Sequence, residues 1–364
     1  MNITVLCGGI SPERDVSLRS GALVANALKT LGHHVALVDS FAGIDNPASA
    51  NFTTDPSPVP SIAKTEPNLD EVRAKYRAPG DRSVIGRGVI DVCRRADVVF
   101  IALHGGEGEG GQIQAALDCF GIRYTGSGHT AAGIALDKDI TKRLLRFAGV
   151  DTADWLRFDG NNQNAGADEY GGGKYSNHNG RAEKILREIG IPCVIKPLTG
   201  GSSCGVTIVR REYELNAAIA LAEKYQSDFI AEKFIPGREL TVGVLEDPDT
   251  RRARALPVVE IIPRVGGYDY VNKYQAGATA EICPAEIPED IAQRAAKIAE
   301  TVHRTLGLRG YSRTDMIYEE STGRIVTLEV NTSPGMTDTS LIPTAAKAAG
   351  ITFPRLCEII ATLE

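Results

Sequence analysis

The 364-residue chain is long enough for two to three domains with buried cores. Its apolar fraction of 43% and charged fraction of 24% are typical of a globular protein, and its net charge of −6 argues against a nucleic-acid or membrane partner. The seven cysteines show neither a C-x-x-C pair nor metal-ligand spacing, and no apolar run approaches the roughly 20 residues of a transmembrane helix. We therefore expect reduced thiols and a cytoplasmic location.

The first third of the chain alternates predicted strands and helices. "ITVLCGG" predicts a strand, "SLRSGALVANALKTLG" has helical periodicity, and "HVALVD" predicts the next strand. Residues 42–80 are rich in Pro, Ser, Thr and Asn, which indicates a long surface excursion. "ADVVFIAL" and "GGQIQAALDCFG" then predict another strand and helix. This order is typical of a doubly wound parallel sheet.

The pattern changes from "ALDKDITKRLLRFAG" onward. Residues 159–180 are polar and glycine-rich, which favours a loop or hairpin. "CVIKP" with "GVTIV", then "FIAEKF" and "ELTVGVLE", predict an antiparallel sheet with covering helices. A helix over "PEDIAQRAAKIAETVHRTLG", two strands and a helical C-terminus at 341–363 complete the prediction.

The last two predicted strands bring together polar side chains. Alternate residues of a strand share a face, so Glu329 and Asn331 lie on one face of "RIVTLEVN" and Leu328 on the other. Arg313 and Asp315 likewise share a face of "SRTDMIY". If the strands pair, two carboxylates and an amide oxygen meet, a hard oxygen set suited to Mg²⁺. A hairpin with solvated charges is the alternative, and the tight turn "NTSPGM" after the acids disfavours it.

The stretch "KPLTGGSSCGV" at 196–206 has the composition of a phosphate-binding loop. Lys196 ends an apolar strand and can reach a phosphate as a point charge, while the glycine-rich segment can donate backbone N–H groups. The order is the reverse of a Walker loop, which ends in Gly-Lys-Ser/Thr. Taken alone, the stretch is interpreted equally well as a glycine-rich hairpin turn.

Together these motifs resemble the D-alanine–D-alanine ligases of the ATP-grasp superfamily. The resemblance follows the chain in order through "GGISPERDVSLRSG", "ALHGGEGEGGQIQ", "YTGSG", "ALDK", "IKPLTGGSSCGV", "EKFIPGRELTVGVL", "YDYVNKY", "GYSRTDM" and "LEVNTSPGMTDTSLIP". It implies an α/β, ATP-grasp fold with a doubly wound parallel sheet in an N-terminal substrate domain (1–126). Two α+β domains would follow and clamp ATP, a small central one (127–234) and a C-terminal one with the metal and substrate site (235–364).

The resemblance also implies a reaction. ATP would phosphorylate the carboxylate of one D-alanine, and the amine of a second D-alanine would attack the acyl phosphate and release phosphate. The product would serve peptidoglycan precursor synthesis. ATP and two Mg²⁺ ions, for which Mn²⁺ can substitute, would be the cofactors, and members of the family commonly form homodimers.

Roles at the amino-acid site follow from the same motifs. Glu13 would fix the ammonium of the first D-alanine, with Ser202 and Tyr274 hydrogen-bonded to Glu13 and His104 near the substrate. The remaining residues assigned to catalysis or to substrates are Arg313 and the Gly335 N–H, which would bind the acyl phosphate and stabilise the oxyanion, and Ser340 and Leu341, which would bind the second carboxylate.

ATP and its metal ions account for the other matched residues. The ATP-binding residues would be Lys138, Lys196, Glu232, Lys233 and Glu239, with Glu239 on the ribose. Lys273 would touch the γ-phosphate when residues 266–277 close as a lid that protects the acyl phosphate from water. The metal ligands would be Asp315, Glu329 and Asn331.

The chain departs from the family pattern at Glu109-Gly110, where a second acid is usual, and at Cys204, where a hydrophobic residue is usual. We interpret Cys204 as a small packing residue, with a redox switch as the alternative.

Three other functions fit parts of the sequence. A D-alanine–D-serine or D-alanine–D-lactate ligase is one, although Tyr274 argues against the D-lactate form. The second is a Rossmann oxidoreductase, which is disfavoured because "CGGISPE" does not match the G-x-G-x-x-G motif. The third is a non-catalytic nucleotide-binding protein, which is disfavoured because such a protein does not need Arg313 beside the metal set.

Overall fold

Within the residues that the computed structural model describes (1–63, 65–160, 178–201, 204–263, 279–337 and 339–363), three β-sheets form the framework. The strands are β1 (Asn2–Cys7), β2 (His34–Asp39), β3 (Val98–Ile101), β4 (Trp155–Phe158), β5 (Cys193–Pro197), β6 (Thr207–Val209), β7 (Phe229–Lys233), β8 (Arg238–Glu246), β9 (Ala253–Ala255), β10 (Val259–Pro263), β11 (Thr279–Ile282), β12 (Tyr311–Glu319) and β13 (Arg324–Asn331). The α-helices are α1 (Arg14–Thr30), α2 (Leu69–Tyr76), α3 (Val89–Cys93), α4 (Gly106–Glu109), α5 (Gln112–Cys119), α6 (His129–Leu136), α7 (Lys138–Phe147), α8 (His178–Glu188), α9 (Leu215–Tyr225), α10 (Glu289–Thr305), α11 (Leu341–Ala348) and α12 (Phe353–Thr362).

The first sheet has the order β2-β1-β3, and its strands run parallel. Parallel strands that are consecutive in the chain need a crossover, and α1 provides it between β1 and β2. The carboxyl ends of β1 and β3 meet at one edge, where the Ser11 hydroxyl donates to the His104 carbonyl at 2.6 Å. The strand–helix alternation predicted for this part is confirmed, and it brings Glu13 and His104 to the same edge.

The second sheet has the order β4-β7-β5-β6, with antiparallel neighbours. Cys193 lies opposite Val209, so the predicted pairing of "CVIKP" with "GVTIV" is confirmed. "FIAEKF" pairs with β5, whereas "ELTVGVLE" enters the next sheet, so the predicted strands divide between two antiparallel sheets. Residues 234–237 connect the two sheets, and a Cβ at Gly237 would lie 2.3 Å from the Tyr318 carbonyl oxygen. This close approach requires glycine at the connection.

The third sheet has the order β11-β10-β8-β12-β13, and β9 pairs with β8. Helix α10 covers one face of the sheet with Ile291, Ala295, Ala299 and Val302, whose three- and four-residue spacing forms one apolar stripe. The helix is therefore present as the sequence predicts. On the opposite face, Glu239 and Ile317 line a cleft that the second sheet also lines, whereas Leu245 and Tyr311 pack in a cluster with the C-terminal helices.

A β-bulge interrupts the pairing of β12 with β13. Asp315 lies opposite Glu329, but Met316 lies opposite Thr327, which leaves Leu328 as an extra residue. Leu328 consequently lines the same cleft as Glu329. The prediction from strict alternation put Leu328 on the other face and was wrong, because one extra residue changes the alternation.

The first sheet, the third sheet and the C-terminal helices share one apolar cluster. Leu28 of α1, Tyr311 of β12, Ile342 of α11 and Ile360 of α12 all belong to it and are buried. Helix α12 also packs against α1. The helical C-terminus predicted over 341–363 is confirmed as two helices, and it closes the N-terminal sheet.

The surface excursion at 42–80 is fixed to the rest by a short helix. Arg77, just after α2, places its guanidinium 4.0 Å from the centre of the Phe41 ring. Most of 159–180 and all of the predicted lid at 266–277 lie outside the described residues. Among the described helices, none is both long enough and apolar enough to cross a bilayer.

Ile360→Ala tests the shared cluster. Ile360 is fully buried, so the substitution leaves a cavity between α12 and its neighbours. We expect the free energy of unfolding to fall by about 2–5 kcal/mol, measured by urea unfolding. Phe147→Ala removes a side chain that is 95% exposed and should cost less than about 0.5 kcal/mol. Equal losses in the two variants would contradict this account of the core.

Candidate active site

A cleft of about 830 Å³ lies between the second and third sheets. One wall comes from β5, β7 and the loop after β5, and the other from β8, β10, β12 and β13. Phe234, Ile235, Ile317 and Leu328 supply apolar surface. The predicted site residues on its walls are Lys138, Lys196, Glu232, Lys233, Glu239, Asp315 and Glu329. Lysines and carboxylates on facing walls suit a polyanion that carries a cation.

Glu232 pairs with two lysines at the base of this cleft. Its carboxylate lies 2.5 Å from Lys196 Nζ and 2.8 Å from Lys142 Nζ, and all three side chains are buried. Burial raises the pKa of Glu232, but the two lysines outweigh that effect and hold its pKa below the usual value. Burial lowers the pKa of Lys196, but the nearby carboxylates outweigh it and raise this pKa. Lys196 is therefore a permanently charged group on the cleft wall.

Lys138 connects the glycine-rich loop to the C-terminal hairpin. Its ammonium donates to the Gly200 carbonyl at 2.8 Å and lies 3.7 Å from a Glu329 oxygen. Its backbone N–H donates to the Leu198 carbonyl at 3.1 Å. Burial lowers the pKa of Lys138, and the attraction of Glu329 opposes this change. The residue therefore links α7 to the loop after β5 and to β13.

The hairpin predicted for the last two strands is confirmed, with Asp315 opposite Glu329 and Arg313 opposite Asn331. Arg313 donates to both Asp315 oxygens, at 2.9 and 2.8 Å, as a planar guanidinium does with a carboxylate. Thr241 Oγ1 donates to the same carboxylate at 2.5 Å. In this structure Arg313 and Asp315 thus neutralise each other.

A smaller cavity of about 60 Å³ lies where the first sheet meets the third. The predicted site residues on its wall are Glu13, His104, Arg313, Glu329, Asn331, Gly335, Ser340 and Leu341. Gly201 and Glu329 line both this cavity and the cleft. The two spaces therefore meet at these residues, and we name the smaller one the amino-acid cavity.

Glu13 reaches this cavity past two glycines. It is buried, and a Cβ at Gly105 would lie 2.7 Å from its Oε2 atom. Gly105 also has a φ of +65°, which favours glycine. A Cβ at Gly201 would lie 3.3 Å from the same oxygen. The absence of side chains at both positions leaves room around the carboxylate.

Glu109 lies behind Glu13. One of its oxygens accepts the Gly105 N–H at 3.0 Å, and the other has no hydrogen-bond partner within the described chain. Burial is the main cause that raises the pKa of Glu109 to about 8, and repulsion from Glu13 is the second. The carboxyl group is therefore mostly protonated at neutral pH, which limits the number of negative charges beside Glu13.

His104 is held between two loops by both ring nitrogens. Nδ1 lies 2.9 Å from the Ser333 carbonyl, which can only accept, so Nδ1 carries the proton. Nε2 lies 2.9 Å from the Ser20 hydroxyl and accepts from it in the neutral ring. Burial lowers the pKa of His104, which favours this neutral form. His104 therefore supports the 333–340 loop from the N-terminal sheet.

Helix α11 begins at the amino-acid cavity. Ser340 is its N-cap residue, and Ser340 Oγ accepts the Thr337 N–H at 3.0 Å. Leu341 is the first helical residue, and a backbone N–H in the first turn of a helix has no acceptor within the helix. The N-terminus of a helix attracts carboxylates, so this end of the cavity suits the anionic end of an amino acid.

The structure thus brings the predicted residues together around two connected spaces, with three exceptions. Ser202, Lys273 and Tyr274 lie outside the described residues. Cys204, interpreted as a packing residue, is half-buried, and its thiol donates to a Glu66 oxygen at 3.3 Å. The excursion at 42–80 therefore contacts the glycine-rich loop.

Sequence reasoning missed two charged residues. Lys142 follows Lys138 by one helical turn in "DKDITK", and that spacing could have placed both lysines on one face of α7. Glu281 lines the amino-acid cavity but belongs to none of the motifs, and no signal in the sequence distinguishes it from a surface acid.

Comparison with known proteins gives matches along nearly the whole chain. Residues 2–127 match the family described as "D-ala D-ala ligase N-terminus", and residues 147–362 match "D-ala D-ala ligase C-terminus". The chain is 39% identical over 364 residues to the D-alanine--D-alanine ligase of Moorella thermoacetica, covering 100% of this chain and 99% of that protein.

Solved structures give the same result. The D-alanine--D-alanine ligase from Bacillus anthracis complexed with ATP has a TM-score of 0.70 at 26% identity, covering 100% of this chain and 97% of that one. The VanG D-Ala:D-Ser ligase from Enterococcus faecalis has a TM-score of 0.71 at 28% identity, covering 100% of this chain and 99% of that one.

Glu109→Gln tests the buried neutral carboxyl. Because the folded pKa is about 8 and the unfolded value is near 4.5, the wild-type protein should lose stability as pH rises through this window. Glutamine cannot ionise, so the variant should lose that part of the pH dependence. At about 1.4 kcal/mol per pKa unit, the difference at pH 8 is at most a few kcal/mol.

Urea unfolding at pH 5, 6.5 and 8 measures the effect. Glu289→Gln, on the exposed first turn of α10, removes one charge elsewhere and should keep the wild-type pH dependence. Identical pH dependence in wild type and Glu109→Gln would contradict the assignment.

Proposed function

The chain belongs to the D-alanine–D-alanine ligase family, and we propose that its cleft and amino-acid cavity carry out the ATP-dependent joining of two D-alanine molecules. As an ATP-grasp ligase, the enzyme forms D-alanyl-D-alanine, ADP and phosphate, and the dipeptide serves peptidoglycan precursor synthesis. One observation carries the location of the reaction: the cleft and the cavity share Gly201 and Glu329. A phosphate at the end of the cleft would meet a carboxylate in the cavity there.

We assign ATP to the cleft. Lys138 and Lys196 would bind its phosphates, and Glu239 its ribose, since all three line this space. Glu232 is already ion-paired with Lys142 and Lys196, so its proposed contribution to ATP binding is to hold Lys196 in place. Lys233 lies at the end of β7 on the same wall. Phosphoryl transfer depends mainly on positioning and charge neutralisation, which these lysines supply.

Two Mg²⁺ ions, or Mn²⁺ in their place, are proposed to bind beside the phosphates. Asp315, Glu329 and Asn331 offer hard oxygen ligands that fit either metal. Among the described residues no group of three His, Cys, Asp or Glu side chains is placed for a metal, so this mixed set needs phosphate and water oxygens as well. The Ser333 N–H donates to Asn331 Oδ1 at 3.0 Å and orients the amide. The metals would neutralise phosphate charge.

The two D-alanines are proposed to occupy the amino-acid cavity. Glu13 would hold the ammonium of the first, with His104 beside it. Arg313 and the Gly335 N–H would stabilise the acyl phosphate and the oxyanion that forms on attack. The second carboxylate would bind at the start of α11, and the residues proposed for this are Ser340 and Leu341.

Further parts of the proposal follow from the family. Ser202, Lys273 and Tyr274 are proposed to close over the bound substrates. Domain boundaries near residues 126 and 234 are proposed because the three sheets occupy successive parts of the chain. A homodimer is the proposed assembly.

Phosphate release with D-alanine, D-serine and D-lactate, alone and in pairs, tests the function. We expect ATP-dependent phosphate release with D-alanine alone, together with D-alanyl-D-alanine detected by mass spectrometry. A mixed product formed in preference to D-alanyl-D-alanine would assign the chain to the D-alanine–D-serine or D-alanine–D-lactate type. No turnover with any pair would contradict the ligase function itself.

Glu329→Gln tests the metal set. Removing one carboxylate charge next to the phosphates should lower ADP formation at least about 100-fold, by analogy with the loss of other groups that stabilise charge in the transition state. A coupled assay for ADP at several Mg²⁺ concentrations measures the change. Glu319→Gln, at the turn end of the same hairpin, is the control and should retain activity. Full activity of Glu329→Gln would contradict the metal assignment.

A further inference from the structure

Glu281 is a carboxylate of the amino-acid cavity to which the proposed function gives no role. It lies half-buried on β11 and lines the cavity together with Arg313, Ser340 and Leu341. In the described part of the chain its carboxylate has no hydrogen-bond or ion-pair partner, and Arg313 is its charged neighbour. A half-buried acid with free acceptor oxygens in a substrate cavity is available for a ligand.

The strand register places Glu281 on the reactive face of the third sheet. Glu281 lies opposite Ile261 on β10, and Ile261 lies opposite Glu239 on β8. Residues directly opposite each other project from the same face of a sheet. Because Glu239 and Ile261 line the cleft, Glu281 projects on the side where the substrates are proposed to bind.

Charge balance in the cavity then favours a cationic ligand for Glu281. The second amino acid is a zwitterion, and its carboxylate is assigned to the start of α11. Its ammonium therefore needs an acidic partner on the same wall. Glu13 is assigned to the first ammonium and Glu329 to the metal ions. Among the described residues of the wall, Glu281, which lies there with Ser340 and Leu341, is the carboxylate left for the second ammonium.

The chemistry also needs a proton acceptor at this position. An ammonium nitrogen has no lone pair, so it cannot attack the acyl phosphate until one proton has left. His104 is a poor candidate because Nδ1 donates to Ser333 and Nε2 accepts from Ser20. Glu281 lies in the same cavity, and its oxygens accept no hydrogen bond from the described residues.

We propose that Glu281 binds the ammonium group of the second D-alanine and accepts a proton from it before the amine attacks. The Glu281 carboxylate takes one proton, which leaves a neutral amine. The nitrogen lone pair forms the C–N bond, the bond between the acyl carbon and the phosphate oxygen breaks, and the second nitrogen proton leaves with the phosphate. Glu281 then returns its proton to water. This inference rests on the proposed function.

The protonation behaviour of Glu281 agrees with this role. Burial raises the pKa of Glu281 to about 7, and the positive charge of Arg313 opposes the rise. The other titratable groups on the cavity wall are Glu13, Glu329 and the neutral His104. A base with a pKa near the working pH combines a large ionised fraction with useful basicity.

Glu281→Gln with hydroxylamine as a second nucleophile separates the two halves of the reaction. Hydroxylamine is neutral at pH 7.5 and attacks an acyl phosphate without a base, giving a hydroxamate. With ATP and D-alanine, the variant should form hydroxamate within about threefold of the wild-type rate. Its dipeptide formation should fall about 100-fold, which is within the usual range for loss of a general base. Glu281→Asp should restore part of that loss.

Glu286→Gln is the matched control, an exposed glutamate shortly after β11, and both activities should stay at the wild-type level. In wild type and control, kcat/KM for the second D-alanine should rise with pH through about 7, because the base acts only when ionised. This inflection should be absent in Glu281→Gln. Equal loss of hydroxamate and dipeptide, unchanged dipeptide formation, or an unchanged pH profile would each overturn the inference. Absence of both products in the wild type would instead contradict the proposed function.

Discussion

Buried charges must be paired, and this constraint organises the side chains around the cleft and the amino-acid cavity. Glu232 compensates two lysines beneath the cleft, and Asp315 compensates Arg313 beside it. Some of these same groups are proposed to bind phosphate or metal, so in this structure the site is neutralised by residues that are also proposed to hold the substrates. On substrate binding, Arg313 would leave Asp315 for the acyl phosphate, and Asp315 would bind a metal ion. Lys196 would keep its ion pair with Glu232 and bind a phosphate of ATP as well.

The sequence predicted those parts of the fold that depend on local periodicity. The parallel N-terminal alternation, helix α10 and the β12–β13 hairpin all follow from the spacing of apolar residues. The bulge at Leu328 was not predictable, because an extra residue in one strand is visible only against its partner. The separation of β7 from β8 was missed for a related reason. The two strands are adjacent in sequence, and a tertiary contact at Gly237 turns the chain into another sheet.

The candidate site divides in the same way. Residues within recognisable motifs, such as Glu13 and Asp315, were found from the sequence, and the structure gathers them around two connected spaces. Glu281 was missed because its meaning depends on which face of a sheet it occupies and what lies across the cavity. Lys142 was missed because a lysine in a surface-like helix looks solvated until its buried carboxylate partner is known. The catalytic and binding roles of all the predicted site residues stay predictions, including those of Ser202, Lys273 and Tyr274, which lie outside the described residues.

Residues 234–237 connect the end of β7, on one wall of the cleft, to the start of β8, on the other. Their five peptide links span at most about 18 Å, which limits the separation of Lys233 from Arg238 in every state of the enzyme. The glycine-rich loop lies at the other end of the β5–β6 hairpin, away from this connection. Phe234 and Ile235, which belong to this connection, line the cleft. A flat aromatic base held there would lie where the chain itself limits the width of the cleft.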